Sequence, residues 1–302
     1  MTAVLGIDLG GTSARFAWAP AGGALTVGEL AHEPAPRTTE AFAALVSDQA
    51  VAASRAAGGP VVAVAITVPG LVEGTVCRWV PNLPHLDGVD LAQLLAPLAV
   101  PVVVGHDAQI ALLAETTLGA CRDVRDALLV AVGTGIGSAV LAGGRIVRGS
   151  RGGAASLGWA CADLADEGGG RSGWLERQAA GRALDALGAR LTPPRDGAGL
   201  VDAARAGDAE AVAALRTVAA ALGTAVAGAV ALLDPEVVVF AGGVADALDV
   251  LGPLLREELD RRLPPHLRGA QGLRSGEFGP RAGLVGALIA ARKGSEWWEA
   301  EG

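Results

Sequence analysis

Lysine is almost missing from this chain: of 24 basic residues only Lys293 is a lysine, and it follows the last expected core helix. A P-loop ends in a lysine that reaches the phosphates, and protein kinases keep one on a strand beneath them. Neither pattern exists here, so any nucleotide site must rely on backbone N–H groups, hydroxyls, arginines and a metal ion. Cysteine is scarce too. Cys77, Cys121 and Cys161 are odd in number and lack CxxC spacing, which argues against a disulfide framework or a thiolate zinc site and for buried, reduced thiols. Positive charge is in deficit, with a formal net charge of -8, so no global field attracts polyanions and no nucleic-acid partner is expected. No uncharged apolar run reaches the roughly 18 residues of a membrane span, and no basic, apolar, small-residue leader opens the chain. A cytoplasmic protein without a membrane partner is expected.

What is present suffices for a large core. The 302 residues are 51% hydrophobic and 19% charged, enough to fill two lobes or one large α/β core. Val4–Asp8 reads as a buried strand, Leu9–Ser13 as a turn, and the run through Trp18 as a second strand. A Pro/Gly/Ala-rich loop over 20–37 leads to an N-cap signal at Thr38-Thr39-Glu40 and an amphipathic helix ending before Gly58-Gly59-Pro60. Val61–Ile66 is an apolar strand; a hairpin-like stretch follows Pro69-Gly70. Pro101–Gly105 is another strand, running through His106-Asp107-Ala108 into a helix to about Leu118. The second half starts as the first did, with the strand Ala127–Val132, the turn Gly133–Gly137 and the strand Ser138–Ala142. A helical region from Trp174 to Leu233 breaks near Pro193-Pro194, and Glu236–Phe240 is a strand before a final helix, Ala282–Ala291. Alternating strands and helices predict parallel or mixed sheets covered by helices.

Gly10-Gly11 and Gly133, Gly135 and Gly137 let the backbone approach an anion closely, while Thr12 and Thr134 add hydroxyls. Singly, each turn is also ordinary hairpin chemistry; at repeat positions the pair is a stronger signal. A dinucleotide fold would need a helix after Gly137, and a β-type run follows instead. Asp8, beside the first turn, suits Mg²⁺ or its waters, or an Asx-turn. Asp107, where a strand becomes a helix, suits a proton acceptor or an N-cap equally by local rules.

Taken in order, Asp8-Leu9-Gly10-Gly11-Thr12, Pro69-Gly70, Pro81-Asn82-Leu83-Pro84, His106-Asp107-Ala108, Gly133-Thr134-Gly135-Ile136-Gly137 and Ala241-Gly242-Gly243-Val244 resemble ROK-family sugar kinases over nearly the whole chain. The resemblance implies an α/β, two-lobed actin-like ATPase (ribonuclease H-like) fold with ATP and substrate in an inter-lobe cleft. It implies a small lobe over 1–118, a large lobe over 119–281, and a final helix and tail over 282–302, the helix packing back on the small lobe. Asp107 would be the general base, taking the proton of the sugar hydroxyl that receives the γ-phosphoryl. Asp8 would serve Mg²⁺ through water, Gly10, Gly11 and Thr12 one side of the phosphates, Gly133, Thr134 and Gly135 the other, and Gly242 and Gly243 the adenosine. Gly70, Asn82, His106, Ser156, Trp159 and Glu176 fall at substrate positions, Asn82 suiting a turn as well. ATP and Mg²⁺ are the expected cofactors, a sugar or polyol-like molecule the substrate, and a homodimer the assembly.

Departures from the family pattern bear on the substrate. His106 stands where relatives carry Asn, and Ser156-Leu157-Gly158-Trp159 replaces a Glu-x-Gly-His stretch. The family's zinc site joins that His to a CxCGxxGC run, whereas 167–174 holds no cysteine, so no zinc site is expected. Trp159 and Trp174 at vacated ligand positions suit an apolar plug, or a stacking surface for substrate. His106 retains a donor for a sugar oxygen. The same changes leave room for a decayed sugar- or nucleotide-binding sensor. A repressor of this family would need a DNA-binding domain ahead of the first turn, for which Asp8 leaves no room. Trp297-Trp298 suits an exposed apolar contact or an unstructured tail.

Overall fold

The structure, a computed structural model, describes residues 1–168, 170–294 and 297. Contacts divide the chain into two compact units: Met1–Gly119 with Arg145–Ala154 and the chain from Pro280, and Ala120–Gly144 with Ala155–Gly279. Arg145–Ala154 therefore leaves the span that the sequence boundaries assign to the large lobe. Gly152 packs against the Val72 carbonyl within the first unit, too closely for any side chain.

The first unit is built on β1 (Ala3–Leu9), β2 (Ser13–Pro20), β3 (Gly28–Pro34), α1 (Thr39–Ala57), β4 (Val61–Val68), the small hairpin β5 (Leu71–Glu73) and β6 (Val76–Trp79), the short α2 (Leu91–Leu94), β7 (Val102–His106) and α3 (Asp107–Leu118). Its main sheet has the order β3-β2-β1-β4-β7. The first two pairings are antiparallel and the last two parallel. Thr38 caps α1 by accepting the Ala41 N–H at 3.1 Å, and Gly58 ends it in the left-handed region at φ 66°, as glycine permits. Leu5, Ile7 and Leu9 alternate along β1 into a core with Phe16, Phe42 and Val46. The opposite face of β1 meets a C-terminal helix, Ala282–Lys293: a Cβ added to Gly6 would lie 2.9 Å from Leu288. The loop expected over 20–37 contains β3, an edge strand exposed along much of its length, which removes the apolar alternation that would have announced it.

The second unit holds β8 (Ala127–Val132) and β9 (Ile136–Ala142); beyond β9 comes β10 (Arg145–Ile146). Its helices are α4 (Trp174–Ala179), α5 (Gly181–Gly188), α6 (Gly197–Arg205) and α7 (Ala209–Leu233). β11 (Val237–Gly242), α8 (Leu248–Arg262) and β12 (Gly272–Ser275) follow, and the C-terminal helix is α9. The sheet order is β10-β9-β8-β11-β12, with β8–β9 antiparallel and β8–β11–β12 parallel. The two halves thus share one strand order, and the antiparallel hairpin followed by two parallel pairings recurs in both. Among the described residues α7 alone is long and apolar enough to cross a membrane, and half of that stretch is buried. Leu215, Val218, Leu222, Val226 and Val230 recur at helical spacing into the core with Phe240 and Leu255.

Cys77 and Cys121 are buried, whereas Cys161, expected to be buried, is exposed. Burial, with the nearby Asp87 and Asp90, pushes the Cys77 thiol up to about 12. Trp297 also departs from expectation: it is 6% exposed, its ring 3.3 Å from where a Cβ on Gly105 would sit. Trp298 lies outside the described residues.

Candidate active site

In the first unit, register gathers the carboxyl ends of three parallel strands. Asp8 pairs with Thr67 across β1 and β4, and Thr67 with Gly105 across β4 and β7. His106 and Asp107 follow at once, as β7 becomes α3. Strand ends of this kind are where open α/β sheets place ligand groups. The buried Thr67 hydroxyl donates to Asp8 Oδ1 at 2.7 Å. Burial raises the Asp8 pKa, the Thr67 bond lowers it, the charge of Asp107 raises it and Arg15 lowers it; the outcome is a carboxyl held above its ordinary range. α9 closes over the same group, since a Cβ on Gly283 would lie 2.6 Å from Asp8 Oδ1.

Asp107 is the first residue of α3 rather than its N-cap, which is His106 without a side-chain capping bond. Its Oδ1 accepts the Ala108 N–H at 2.6 Å and lies 3.3 Å from His106 Nδ1. Its side chain is 45% exposed, in contrast to the enclosed Asp8. The first glycine turn closes through Gly10 N–H donating to Ser13 O at 2.8 Å, leaving Thr12 exposed. Gly11 packs on Asn82, whose Cβ would be 2.7 Å from an added Cβ. Gly70 bends the chain after β4, its N–H bonded to Val68 O at 2.9 Å. Arg15 escaped the sequence reading: it stands opposite Asp8 in the β1–β2 pair and donates to the Pro280 carbonyl. The β1–β2 register was its only signal.

In the second unit, the turn Gly133–Gly135 joins β8 to β9, with Gly133 and Thr134 exposed and Gly133 N–H bonded to Gly135 O at 2.9 Å. Gly242, paired with Val132, has φ 72° and crowds the Val132 carbonyl, so a side chain there meets both strain and a clash. Gly243 has open space beside it. Ser156 is exposed at the start of the short helical turn Leu157–Trp159. Trp159 is 44% exposed and does not form an apolar plug, whereas Trp174 is partly buried against the core. The buried Ser138, also missed, accepts Leu157 N–H at 3.0 Å and donates to Ala155 O, tying this segment to β9.

The half-buried Asp8, destabilised in its charged form and within electrostatic reach of Asp107, suits a divalent cation that relieves both charges. No cluster of three His, Cys, Asp or Glu exists among the described residues, and Mg²⁺ commonly keeps several waters and few protein ligands. A family-type zinc centre does not fit these residues: Trp159 replaces the histidine, and the exposed Cys161 thiol donates to Asp163 O.

The ROK family model matches residues 4–293. The chain is 34% identical to the bifunctional enzyme NanE/NanK of Brucella suis over 74% of its own length, and it spans 41% of that longer protein. The ROK hexokinase of Thermus thermophilus superposes with a TM-score of 0.81 at 32% identity, covering 96% of this chain and 97% of that one. A ROK glucokinase of Streptomyces griseus, solved with glucose and AMPPNP, gives 0.79 at 28%, covering 97% and 100%. The duplicated mixed sheets are thus those of the actin-like ATPase fold, and the chain belongs to the ROK family.

Proposed function

We propose that this chain is an ATP-dependent kinase that transfers the γ-phosphoryl group to a hydroxyl of a sugar or sugar-like alcohol, with Asp107 as general base. The observation that carries the reading is the pairing of an exposed carboxylate, Asp107, with the enclosed Asp8 at adjoining strand ends. The Streptomyces griseus relative, crystallised with glucose and AMPPNP, supports a sugar and ATP as the substrates. Asp107 meets the Ala108 N–H and His106 Nδ1 through Oδ1, so Oδ2 would accept the hydroxyl proton as the phosphoryl group is transferred. Asp8 would hold Mg²⁺ through water, and bound Mg²⁺ would neutralise charge developing on the phosphates. The N–H groups and hydroxyls of Gly10–Thr12 and Gly133–Gly135 would carry the anion contacts that a lysine supplies elsewhere. Gly242 and Gly243 would flank the adenosine. His106, Asn82 and Gly70 would line the acceptor alcohol, with Ser156, Trp159 and Glu176. A cytoplasmic homodimer without a nucleic-acid partner completes the proposal.

ADP release with MgATP across hexoses, N-acetylhexosamines and polyols tests this reading. Turnover on one compound that Asp107→Asn lacks, while AMPPNP still binds, is expected; undiminished turnover by that variant would refute the role. A second reading, a sensor that binds sugar without consuming ATP, is favoured by the exposed Ser156 and Trp159 in place of the family's Glu and His. Sugar binding with no ADP release from any of the panel would select it.

A further inference from the structure

Glu176 stands at a substrate position by resemblance, yet both of its carboxylate oxygens are engaged by backbone. Oε1 accepts the Ile136 N–H at 2.9 Å and Oε2 the Gly173 N–H at 3.3 Å. Ile136 opens β9 directly after the Gly133–Gly135 turn, and Gly173 is the N-cap of α4. Crowding holds the carboxylate in place. An added Cβ would lie 2.7 Å from Glu176 Oε1 at Gly135 and 2.9 Å from its Cγ at Gly158. Gly173 packs in turn on the backbone of Gly158 and Trp159. At the other end of the turn, Gly133 O accepts the Gly181 N–H at 2.8 Å, so residues at the starts of α4 and α5 grip both ends.

Glycine gives up more backbone freedom on ordering than any other residue, so a glycine turn that closes on an anion does so at an entropic cost. Pinning it beforehand reduces that cost and strengthens binding. We propose that Glu176 is a positioning residue for this turn: it presets the backbone that receives the nucleotide phosphates and ties it to the segment bearing Trp159. Only the identity of the anion rests on the kinase reading. An N–H donated to a carboxylate oxygen makes a stronger bond than one donated to a neutral acceptor, and Glu176 accepts two of them.

Glu176→Gln is nearly isosteric but has one acceptor oxygen and an NH2, so one of the two N–H donors would face another donor. Glu176→Asp keeps the charge on a shorter stem that spans only one donor. Titration calorimetry of the full chain with MgAMPPNP, hydrogen exchange and steady-state kinetics separate the possibilities. For Glu176→Gln, nucleotide affinity should fall about tenfold or more, the order expected for losing a bond to a charged acceptor. Ile136 exchange should quicken, the KM for ATP should rise, and Glu176→Asp should fall between. Unchanged affinity and exchange with a raised KM for the alcohol alone would overturn the proposal, making Glu176 a substrate ligand only. Protection lost throughout the second unit in both variants would overturn it too, as a general structural role. A wild type that binds MgAMPPNP but phosphorylates no alcohol would sink the kinase reading and leave the Glu176 comparison standing; one that binds no MgAMPPNP would sink the proposal itself.

Discussion

Gly283→Ala sets two effects of opposite sign against each other. Gly283 lies in the first turn of α9, and replacing glycine by alanine within a helix normally adds up to about 1 kcal/mol of stability. Here the new Cβ would meet Asp8 Oδ1 at 2.6 Å, far inside the ordinary 3.4–4 Å contact range. A flexible side chain would swing away, but Asp8 is enclosed and its Oδ1 is held by Thr67 at 2.7 Å. Relief therefore means breaking a hydrogen bond to a carboxyl, about 1.5–3 kcal/mol if the group is charged, or displacing α9 from a packed sheet. The penalty exceeds the helix gain, so net destabilisation of about 0.5–2 kcal/mol is expected from the difference of these two terms. Because the strained atom belongs to the proposed metal-serving carboxylate, the Mg²⁺ concentration for half-maximal turnover should rise as well. Denaturant melts paired with Mg²⁺ titrations of ADP release read both effects. A variant that is more stable than wild type, with an unchanged Mg²⁺ requirement, would show that Asp8 is free to move and refute the reasoning.

Asp8→Asn should separate stability from activity. A native pKa raised by burial means the folded state binds the proton more tightly. The stability that Asp8 contributes is therefore present below its ordinary value of 3.8 and lost as pH rises through the native value. Asparagine removes that loss, so the variant should melt above wild type at pH 7 with the gap closing toward pH 4, while Mg²⁺-dependent turnover falls; a lower melting temperature at pH 7 would contradict the assigned desolvation. Trp159→Ala, at a side chain 44% exposed, should change stability by no more than about 0.5 kcal/mol, as at most surface sites, and raise the KM for the alcohol without raising that for ATP. A large loss of melting temperature with kinetics intact would instead make Trp159 a packing residue.

How much could be read in the sequence depended on whether a residue's role was written locally. The buried strands were legible because three or more apolar residues run together between glycines, and α1 because Thr38 and Gly58 mark its ends. β3 was not, since an edge strand with one face in water has little apolar pattern to show. β12 was likewise silent: Gly272–Ser275 has a single large apolar residue and takes its identity from pairing with β11. In the candidate site, the glycine turns and the strand-end carboxylates stood out by type and position. Arg15 and Thr67 did not, because their relation to Asp8 exists only in the strand register. Glu176 shows the limit from the other direction. Resemblance marked its position, but its bond to Ile136 reaches forty residues back along the chain, which no local pattern announces.

The repeated sheet order gives each strand of the first five-stranded sheet a counterpart in the second, and the counterparts divide the chemistry unequally. Leu9 faces Ala14 at the end of the first hairpin and Val132 faces Ile136 at the end of the second, which aligns Asp8 with Ala131 and Arg15 with Gly137. β7 corresponds to β12 by place in the sheet; the first runs into His106-Asp107, the second into Gly276. The carboxylates Asp8 and Asp107 thus lie at the strand ends of one copy, where the other places Ala131 and Gly276, with the exposed hydroxyls of Thr134 and Ser275 nearby. A neutral turn needs no counter-charge while unoccupied, but its affinity for an anion then depends on how well its backbone is preset. That dependence is the physical reason for a carboxylate behind the second turn rather than beside it: in the proposed arrangement Glu176 orders the donors from the rear, where Oε1 and Oε2 are bound to Ile136 and Gly173, whereas Asp8 would serve a cation beside the first turn.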